Sequence, residues 1–437
     1  MIMIFLSPFM IRSLALFVPL VVVCLLCLWR EPEERLATAA LLACAWTVPA
    51  LLFLNLLAIE AGWWRFEAQG GVFMALPVDL LLGWVLLWGA LPIFAFPRLQ
   101  LPLMLALMLA VDVMFMPLMA PVLQLGQYWL VGELLALLFC LLPAQLLARY
   151  TMKDEQLTAR VLLLGIGYSG LLFGVLPLII LDATGGGWQA FLERPLWLNS
   201  LGFQILMLPA ILGLSGVQEF AQRGGGTPIP FDAPKQLVSS GIYAYIGNPM
   251  QLSACLMLII WGMLLASAWV AGAGLMGWIF SIGLAAWSEN EDLSERFGEN
   301  WTIYRKNVPY WWPRWRPWYA NTDDEPLSST YARLYVGETC LSCSQLAQWL
   351  QARQPIALTL IAAEDHPSRD LFRLTYVSAD GHHQEEGIAA LARALEHIHL
   401  GWALIGFTIR LPVIYHLLQL LADAVGAEPR RIERRNT

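Results

Sequence analysis

QLVSSGIYAYIGNPMQLSACLMLIIWGMLLASAWVAGAGLMGWIFSIGLAAWS, residues 236–288, runs for 53 residues without a charged side chain. A helix that crosses a lipid bilayer needs about 20 consecutive, mostly apolar residues. The stretch is therefore long enough for two crossings joined by a tight turn, with about 10 residues of approach before the first. We predict a membrane hairpin with crossings at 250–267 and 270–288, and a turn near Ala271–Gly274.

The composition of the whole chain agrees with a membrane protein. Of its 437 residues 58% are hydrophobic and 14% are charged, whereas ordinary soluble domains carry about 25% charged residues. The net charge of −7 argues against a nucleic-acid partner and leaves membrane lipids as the expected surroundings. Five of the seven cysteines lie in apolar stretches, which excludes the disulfide framework of a small secreted protein.

Seven more apolar stretches precede the hairpin and bring the predicted number of crossings to nine. The fold class we predict is an α-helical polytopic membrane protein with about nine transmembrane helices, followed by a small C-terminal α/β thioredoxin-like domain. The seven earlier stretches are 11–29, 36–59, 72–96, 100–120, 127–148, 161–182 and 197–219.

The distribution of Lys and Arg between short loops predicts the orientation, because cytosolic loops are enriched in these residues. With nine crossings and the N-terminus outside, the inner loops hold eight Lys and Arg residues and the outer regions hold three. We therefore expect a multi-pass protein of a bacterial inner membrane with a cytosolic C-terminal domain. The inner residues are Arg30, Arg35, Arg98, Arg149, Lys153, Arg160, Arg223 and Lys235, and the outer residues are Arg12, Arg65 and Arg194.

The composition changes after Glu289. Residues 289–307 are charged and helix-prone, and an aromatic run of a kind common at headgroup level follows over 310–319. "ARLYV" and "IALTLIA" are typical of strands, whereas Ser344–Arg353 and Glu386–His397 are typical of helices. The domains we predict are N-terminal helices of unassigned function (1–160), a membrane enzyme domain (161–319), a linker (320–330) and the C-terminal domain (331–437).

Two motifs at the ends of the hairpin carry a resemblance to a known family. They are "GGGTPIPFDAPKQLVSSGIYAYIGNPMQLS", which begins at Gly224, and "ENEDLSERFGENWTIYRKNVPYWWPR", which begins at Glu289. In order and spacing they resemble the isoprenylcysteine carboxyl methyltransferase and phospholipid methyltransferase family. The matching residues are Gly241, Tyr243, Asn248, Pro249, Glu289, Leu293, Phe297, Gly298, Tyr304, Val308 and Pro309.

The resemblance implies that the hairpin binds S-adenosylmethionine and that a lipid or lipid-like methyl acceptor enters from the bilayer. Since both hairpin ends lie at one membrane face, Glu289 could accept from the cofactor's ammonium or ribose. Aromatic rings could face its cation, and amides near Asn248 and Met250 could receive its carboxylate. The implied cofactor-binding residues are Tyr243, Tyr245, Gly247, Asn248, Pro249, Met250, Glu289, Glu291, Trp301 and Tyr304, with Gln251 as a candidate catalytic residue.

The chain departs from the family pattern at three positions. Gly247 stands where the family often has Arg, Gln251 where it often has Tyr, and Asn290 in the second Glu position. All six histidines lie at or beyond His366, so the membrane part has no histidine to act as a general base. An acceptor that is already a carboxylate or thiolate would not need one. The alternative is a hairpin that keeps the fold and has lost catalysis.

The C-terminal domain contains Cys340 and Cys343 in "RLYVGETCLSC", between a predicted strand and a predicted helix. Helix N-terminal amides stabilise a thiolate in such a position. The domain, with its final stretch from Trp402, resembles the DCC thiol-disulfide oxidoreductase family, although Val336 replaces the usual Asp and Thr339 is additional. The resemblance implies Cys340 as nucleophile and Cys343 as resolving thiol. Unreactive thiols and a metal site are the alternatives, and the latter lacks a second cysteine pair.

Three acidic residues, Asp79, Asp112 and Glu133, fall within predicted crossings. A charge there costs at least about 2.5 kcal/mol, so such residues usually face a cavity or a partner. The family resemblance does not extend to them. They motivate a second hypothesis, a catalytically degenerate transporter or scaffold with a tethered thiol domain.

Overall fold

The computed structural model describes residues 7–227, 234–320, 331–338 and 341–435. Within these residues, seven helices are long and apolar enough to cross a membrane, each close to a predicted crossing. A membrane-embedded, mostly helical protein is thereby confirmed. The seven helices, α1 to α7, are Pro8–Arg30, Glu34–Glu60, Val78–Ala95, Leu101–Met119, Trp129–Lys153, Leu157–Thr184 and Leu196–Gly224.

Contacts along the chain define two compact units. The first contains α1 to α6, and the second contains α7 and the C-terminal part of the chain. The first unit is Met1–Glu193 with Thr227–Ala233 and Leu265–Val270, and the second is Arg194–Gly226, Pro234–Leu264 and Ala271–Thr437.

Small residues let the helices of the first unit approach closely. Ala39 and Ala43 of α2 share one buried cluster with Ala144 and Ala148 of α5. A Cβ atom added at Gly89 of α3 would lie 2.6 Å from the Cys44 sulfur atom. Close packing of small residues is a main source of helix association in lipid, because no hydrophobic driving force brings the helices together there.

Short strands connect these helices outside the apolar segments. β1 (Trp64–Phe66) pairs antiparallel with β4 (Leu123–Leu125), and β2 (Val72–Phe73) pairs antiparallel with β3 (Leu76–Pro77). The predicted crossing at 72–96 is therefore wrong at its start, because its first six residues form the β2–β3 turn.

Four of the seven long apolar helices contain a π-helical turn, in which one extra residue widens the helix, and a fifth such turn lies at the end of α9. Such turns are often found at functional sites because they redirect a few side chains. They lie at Leu86–Ala90, Leu137–Leu141, Gly170–Val175, Phe220–Gly224 and Ser281–Ala285.

The predicted hairpin is present as two shorter helices, α8 (Pro249–Leu264) and α9 (Ala268–Gly283). α8 has 16 residues and rises about 24 Å at 1.5 Å per residue, less than the roughly 30 Å of a hydrocarbon core. Nine full crossings are therefore not confirmed. The turn also lies earlier than predicted, because Ser267 Oγ accepts from the Val270 amide at 3.3 Å and begins the second helix.

A polar helix, α10 (Ala286–Asn307), follows the hairpin, as its composition predicts. Its path breaks at Gly298, which has a φ of +54°, a conformation that only glycine adopts readily. The break separates the segment that carries Glu289 from the segment that carries Trp301 and Tyr304.

The C-terminal domain is built on a four-stranded mixed sheet in the order β6-β5-β7-β8. β5 is parallel to β6 and antiparallel to β7, and β7 is antiparallel to β8. The strands at "ARLYV" and "IALTLIA" and both predicted helices are confirmed, although the helix predicted at Ser344–Arg353 begins three residues earlier than expected. The elements are β5 Ala332–Val336, α11 Leu341–Gln351, β6 Leu358–Ala362, β7 Thr375–Val377, β8 Gln384–Glu386 and α12 Ile388–Leu395.

Two further apolar helices, α13 (Leu400–Arg410) and α14 (Pro412–Ala427), meet at a bend of 89°. α13 is partly buried, with Ala403 and Phe407 in a cluster around Tyr245. No residue of the Pro412–Ala422 helical segment is buried, and its exposed residues include several large apolar ones. These are Val413, Leu417, Leu420 and Leu421.

Candidate functional site

The hairpin brings its two polar ends into direct contact, as the sequence predicts. Gln251 Nε2, on the first turn of α8, donates to Glu289 Oε1 at 2.6 Å. The Tyr310 hydroxyl donates to the other oxygen of the same carboxylate. Three residues separated by up to 59 positions in sequence thus form one polar group at the base of the hairpin.

The segment after α10 forms one side of this site by pairing with the approach to α8. The amides of Gly247 and Asn248 donate to the carbonyl oxygens of Pro309 and Tyr310 at 2.9 and 3.1 Å. A Cβ atom at Gly247 would lie 2.8 Å from the Tyr310 ring. This close approach explains why the position holds glycine here and could not hold an arginine without moving the Tyr310 segment.

Asn248 has a structural role at the start of α8. Its Oδ1 atom accepts from the Gln251 amide at 3.4 Å, the bond by which asparagine caps a helix. Pro249 occupies the first helical position, where a missing N–H costs nothing. Because the Asn248 amide already donates to Tyr310, it is not available to a cofactor carboxylate, contrary to the expected role. Pro249 and Met250 both lie against Gly216 of α7.

The aromatic residues expected at the cofactor divide into two groups. Tyr243, Trp301 and Tyr304 lie together near the site: the Tyr304 hydroxyl donates to the Tyr243 carbonyl at 2.9 Å, and the Trp301 and Tyr304 rings are 5.7 Å apart. Trp301 Nε1 donates to Asn290 Oδ1 at 2.9 Å. The asparagine that departs from the family pattern at position 290 therefore helps to hold this group of aromatic side chains in place.

Tyr245 takes a different position from the other aromatic residues. Its ring contacts Phe407 of α13 edge-on at 6.4 Å, and its hydroxyl donates to the Glu396 carbonyl at 2.8 Å. Both its ring and its hydroxyl therefore have partners in the C-terminal domain. Glu291 is exposed on α10, whereas Glu289 is half-buried.

Two buried polar atoms near the site have no hydrogen-bond partner within the described residues. They are the Tyr243 hydroxyl and Gln251 Oε1. Burial, and then the neighbouring Tyr304, Glu219 and Glu289, raise the pKa of Tyr243 well above its usual value. The Tyr243 hydroxyl is therefore a neutral group that can both donate and accept. Buried polar groups without partners are rare in native proteins and often indicate an absent ligand or water.

A buried ion network, which the sequence analysis does not identify, lies at the end of α7. Arg393 donates to Glu219 at 2.9 and 3.0 Å, to Glu396 at 3.1 Å and to Glu385 at 2.8 Å. Arg410 donates to Glu396 at 2.8 Å and to Glu219 at 3.3 Å. Although burial opposes it, the positive charge of Arg393 holds the pKa of Glu385 well below its usual range.

The ion network has a weak signal in the sequence. Arg393 and Arg410 each stand alone in an otherwise apolar helix, "IAALARAL" and "LGWALIGFTIR". A single charge among apolar residues indicates a buried partner, but the sequence does not show that the partner is Glu219, 174 residues earlier than Arg393.

The cysteine pair lies partly outside the described residues. Cys340 is not among them, whereas Cys343 is half-buried in the first turn of α11 and packs against the core cluster that contains Leu334 of β5. Within the described residues, no group of three His, Cys, Asp or Glu side chains could hold a metal ion.

Of the acidic residues predicted in crossings, Asp79 has a cationic partner. Its carboxylate accepts from Arg12 Nε at 2.8 Å, so Arg12, which the predicted orientation places in an outer region, neutralises it.

In comparisons with known proteins, no protein-family model, no curated protein and no solved structure matches this chain.

Proposed function

We propose that the protein transfers a methyl group from S-adenosylmethionine to a lipid or lipid-like acceptor at the cytosolic membrane face. The observation that carries the proposal is the group formed by Gln251, Glu289 and Tyr310, next to the unpartnered Tyr243 hydroxyl. This group lies at the base of the hairpin formed by α8 and α9, and we expect both a water-soluble cofactor and a lipid to reach it there.

The chemistry of the unpartnered atoms fits the cofactor. Its ammonium needs acceptors, which Gln251 Oε1 and the Glu289 carboxylate supply. Its ribose and adenine carry both donors and acceptors, which the neutral Tyr243 hydroxyl can match. S-adenosylmethionine supplies an electrophilic methyl group on a sulfonium centre when it is bound.

The chain's own residues contribute positioning more than acid–base chemistry. Gln251 and Tyr310 fix both oxygens of Glu289, so the carboxylate is oriented before any ligand arrives. The side chains that hydrogen-bond within this group are a glutamine, a glutamate and a tyrosine, none of which is suited to remove a proton from a neutral acceptor at pH 7 as histidine would be. We therefore infer an acceptor that is already nucleophilic, such as a carboxylate or thiolate on a lipophilic group.

The proposal is tested by titrating S-adenosylmethionine into the full-length protein in a non-ionic detergent. We expect wild-type binding, and at least tenfold weaker binding by Glu289→Gln, a loss of about 1.4 kcal/mol. Glu299→Gln, exposed on the same helix, is the matched control and should bind as the wild type does. Absence of wild-type binding, or equal binding by both variants, would contradict the proposal.

A second activity, thiol–disulfide exchange, is favoured by the position of Cys343 in the first turn of the helix that follows β5. β5 is an inner strand with the parallel strand β6 on one side and the β7–β8 hairpin on the other, an arrangement compatible with a thioredoxin-like domain. Cys340 would attack a substrate disulfide, and Cys343 would release the reduced substrate by forming the Cys340–Cys343 disulfide.

Exchange activity is measured on the full-length protein with a small disulfide substrate. Cys340→Ser should abolish turnover, whereas Cys255→Ser, a change in the buried face of α8, should leave it unchanged. Retention of full exchange activity by Cys340→Ser would exclude this role.

A further inference from the structure

The first unit contains an apolar cavity of about 440 Å³ between α1, α3 and α4. This volume is within the range of sites for small organic ligands. Asp112 is the one ionisable residue among the described residues that line it. The others are almost entirely apolar and include Ile11, Leu80, Trp84, Val111 and Phe115.

Asp112 is 4% exposed and is held in place from the side of α3. Trp88 Nε1 donates to Asp112 Oδ2 at 3.0 Å. Trp88 lies in the π-helical turn of α3, and its ring meets that of Trp84 edge-on at 5.5 Å. Trp84 lines the cavity, and its buried Nε1 atom has no partner among the described residues. The cavity thus combines a positioned carboxylate with aromatic surface.

A second carboxyl group interacts electrostatically with Asp112. Glu133 of α5 is fully buried, and the described structure gives neither of its oxygen atoms a hydrogen-bond donor in good geometry. Asp112 is the charged group that acts most strongly on Glu133. Among the described side chains, no Lys, Arg or His forms a salt bridge with either carboxyl group, in contrast to Asp79 and its Arg12.

A pair of acids without a counter-ion is costly in a medium of low dielectric constant. Each charge costs at least about 2.5 kcal/mol within a membrane, and two carboxylates close together cannot both stay ionised without a cation. One bound cation would relieve this cost. An apolar cavity lined by Phe66, Trp84 and Phe115 is suited to an organic cation, because alkyl groups contact apolar walls favourably and aromatic rings attract a cation.

We propose that this cavity binds a lipophilic ammonium compound, with the cationic nitrogen beside Asp112 and the alkyl chain along α1 and α4. The proposal concerns a site separate from the hairpin and does not depend on methyl transfer. Uncharged lipid tails and a simple proton are the competing occupants, and the experiment separates them from the ammonium compound.

The test uses the full-length protein in nanodiscs of zwitterionic lipid, with empty nanodiscs as the background. The probe is radiolabelled dodecyltrimethylammonium, and its uncharged competitor is dodecyldimethylphosphine oxide. We expect saturable binding of one equivalent of the probe, and no displacement by equimolar phosphine oxide. Displacement of the probe at equal concentrations would show that the cavity binds alkyl chains irrespective of charge, and would overturn the proposal. This comparison is made on the wild-type protein alone.

A variant tests the role of the carboxylate directly. Asp112→Asn keeps an acceptor for Trp88 and removes the charge, so we expect at least tenfold weaker probe binding with the fold retained. Asp182→Asn, at the exposed end of α6, is the matched control and should bind as the wild type does. Equal affinity for all three proteins, or no saturable binding by the wild type, would mean that the pair is neutralised by a proton alone.

Discussion

Replacing Arg393 with methionine should destabilise the C-terminal domain strongly. Arg393 is 1% exposed and makes four hydrogen bonds, of 2.8 to 3.1 Å, to the three carboxylates of Glu219, Glu385 and Glu396. Methionine fills a similar volume but supplies no charge. The three acids would then share Arg410 and the more distant Arg223.

The size of this loss of stability follows from the burial of the carboxylates that lose Arg393 as a partner. Glu219 and Glu396 are 1% and 2% exposed, so water cannot solvate them when the guanidinium is removed. Breaking one buried ion pair in this way costs about 3–5 kcal/mol. At about 1.4 kcal/mol for each factor of ten, the equilibrium constant for opening the domain should rise by roughly two to nearly four orders of magnitude.

Hydrogen exchange of the β7 and β8 amides in the full-length protein measures this opening. The matched control is Arg369→Met, which breaks the Arg369–Glu386 pair of 2.8 Å with both partners about half-exposed. Exposed pairs contribute about 0–1 kcal/mol, so the control should change exchange less than tenfold. Similar exchange rates in the two variants would refute the assignment of the ion network as a buried, coupled unit.

Two further predictions concern pH and the hairpin. Burial lowers the pKa of His397 from 6.5 to about 4, with its Nδ1 atom 2.7 Å from the Ile356 carbonyl oxygen and its Nε2 atom 3.0 Å from the Tyr376 hydroxyl. The unfolded chain therefore takes up a proton first as the pH falls, and the domain should lose up to about 3 kcal/mol between pH 7 and pH 4. Hydrogen exchange should show this loss reduced in His397→Gln, and an unchanged pH profile would contradict it. Gly274→Ile should weaken S-adenosylmethionine binding at least tenfold in the titration above, because its Cβ would lie 2.9 Å from the Cys255 carbonyl oxygen and force the hairpin apart. Gly272→Ile on the same helix, with open space around its Cβ, should bind normally, and equal binding by both variants would contradict the reasoning.

Hydropathy alone predicts the long helices well, because each of α1 to α7 contains enough consecutive apolar residues to be recognised without neighbours. It fails at local details that depend on particular side chains. The β2–β3 turn at 72–77 is apolar enough to resemble the start of a crossing. The hairpin turn moves to 265–267 because one hydroxyl, on Ser267, caps the second helix.

The candidate site was predictable in part from motif spacing. The spacing predicts that the Asn248 end and the Glu289 end of the hairpin meet, and the contact between Gln251 and Glu289 agrees with this, although the contacting residue lies three positions beyond Asn248. The position of Tyr245 was not predictable, because it depends on Phe407 and Glu396 of a distant segment. The ion network was not predictable for the same reason: Arg393 and Arg410 each indicate a buried partner, but the partner Glu219 lies in a distant segment of the chain.

The bend between α13 and α14 has a consequence for how the C-terminal domain meets its partners. The outer face of α14 is apolar, because the side chains of Val413, Leu417 and Leu420 are exposed there. A helix with such a face is stable when it lies in the headgroup layer of a membrane. We expect the domain to rest on the surface of the bilayer. Substrates carried by other membrane proteins would then reach it by lateral diffusion in two dimensions, whereas substrates dissolved in water would first have to reach the membrane surface.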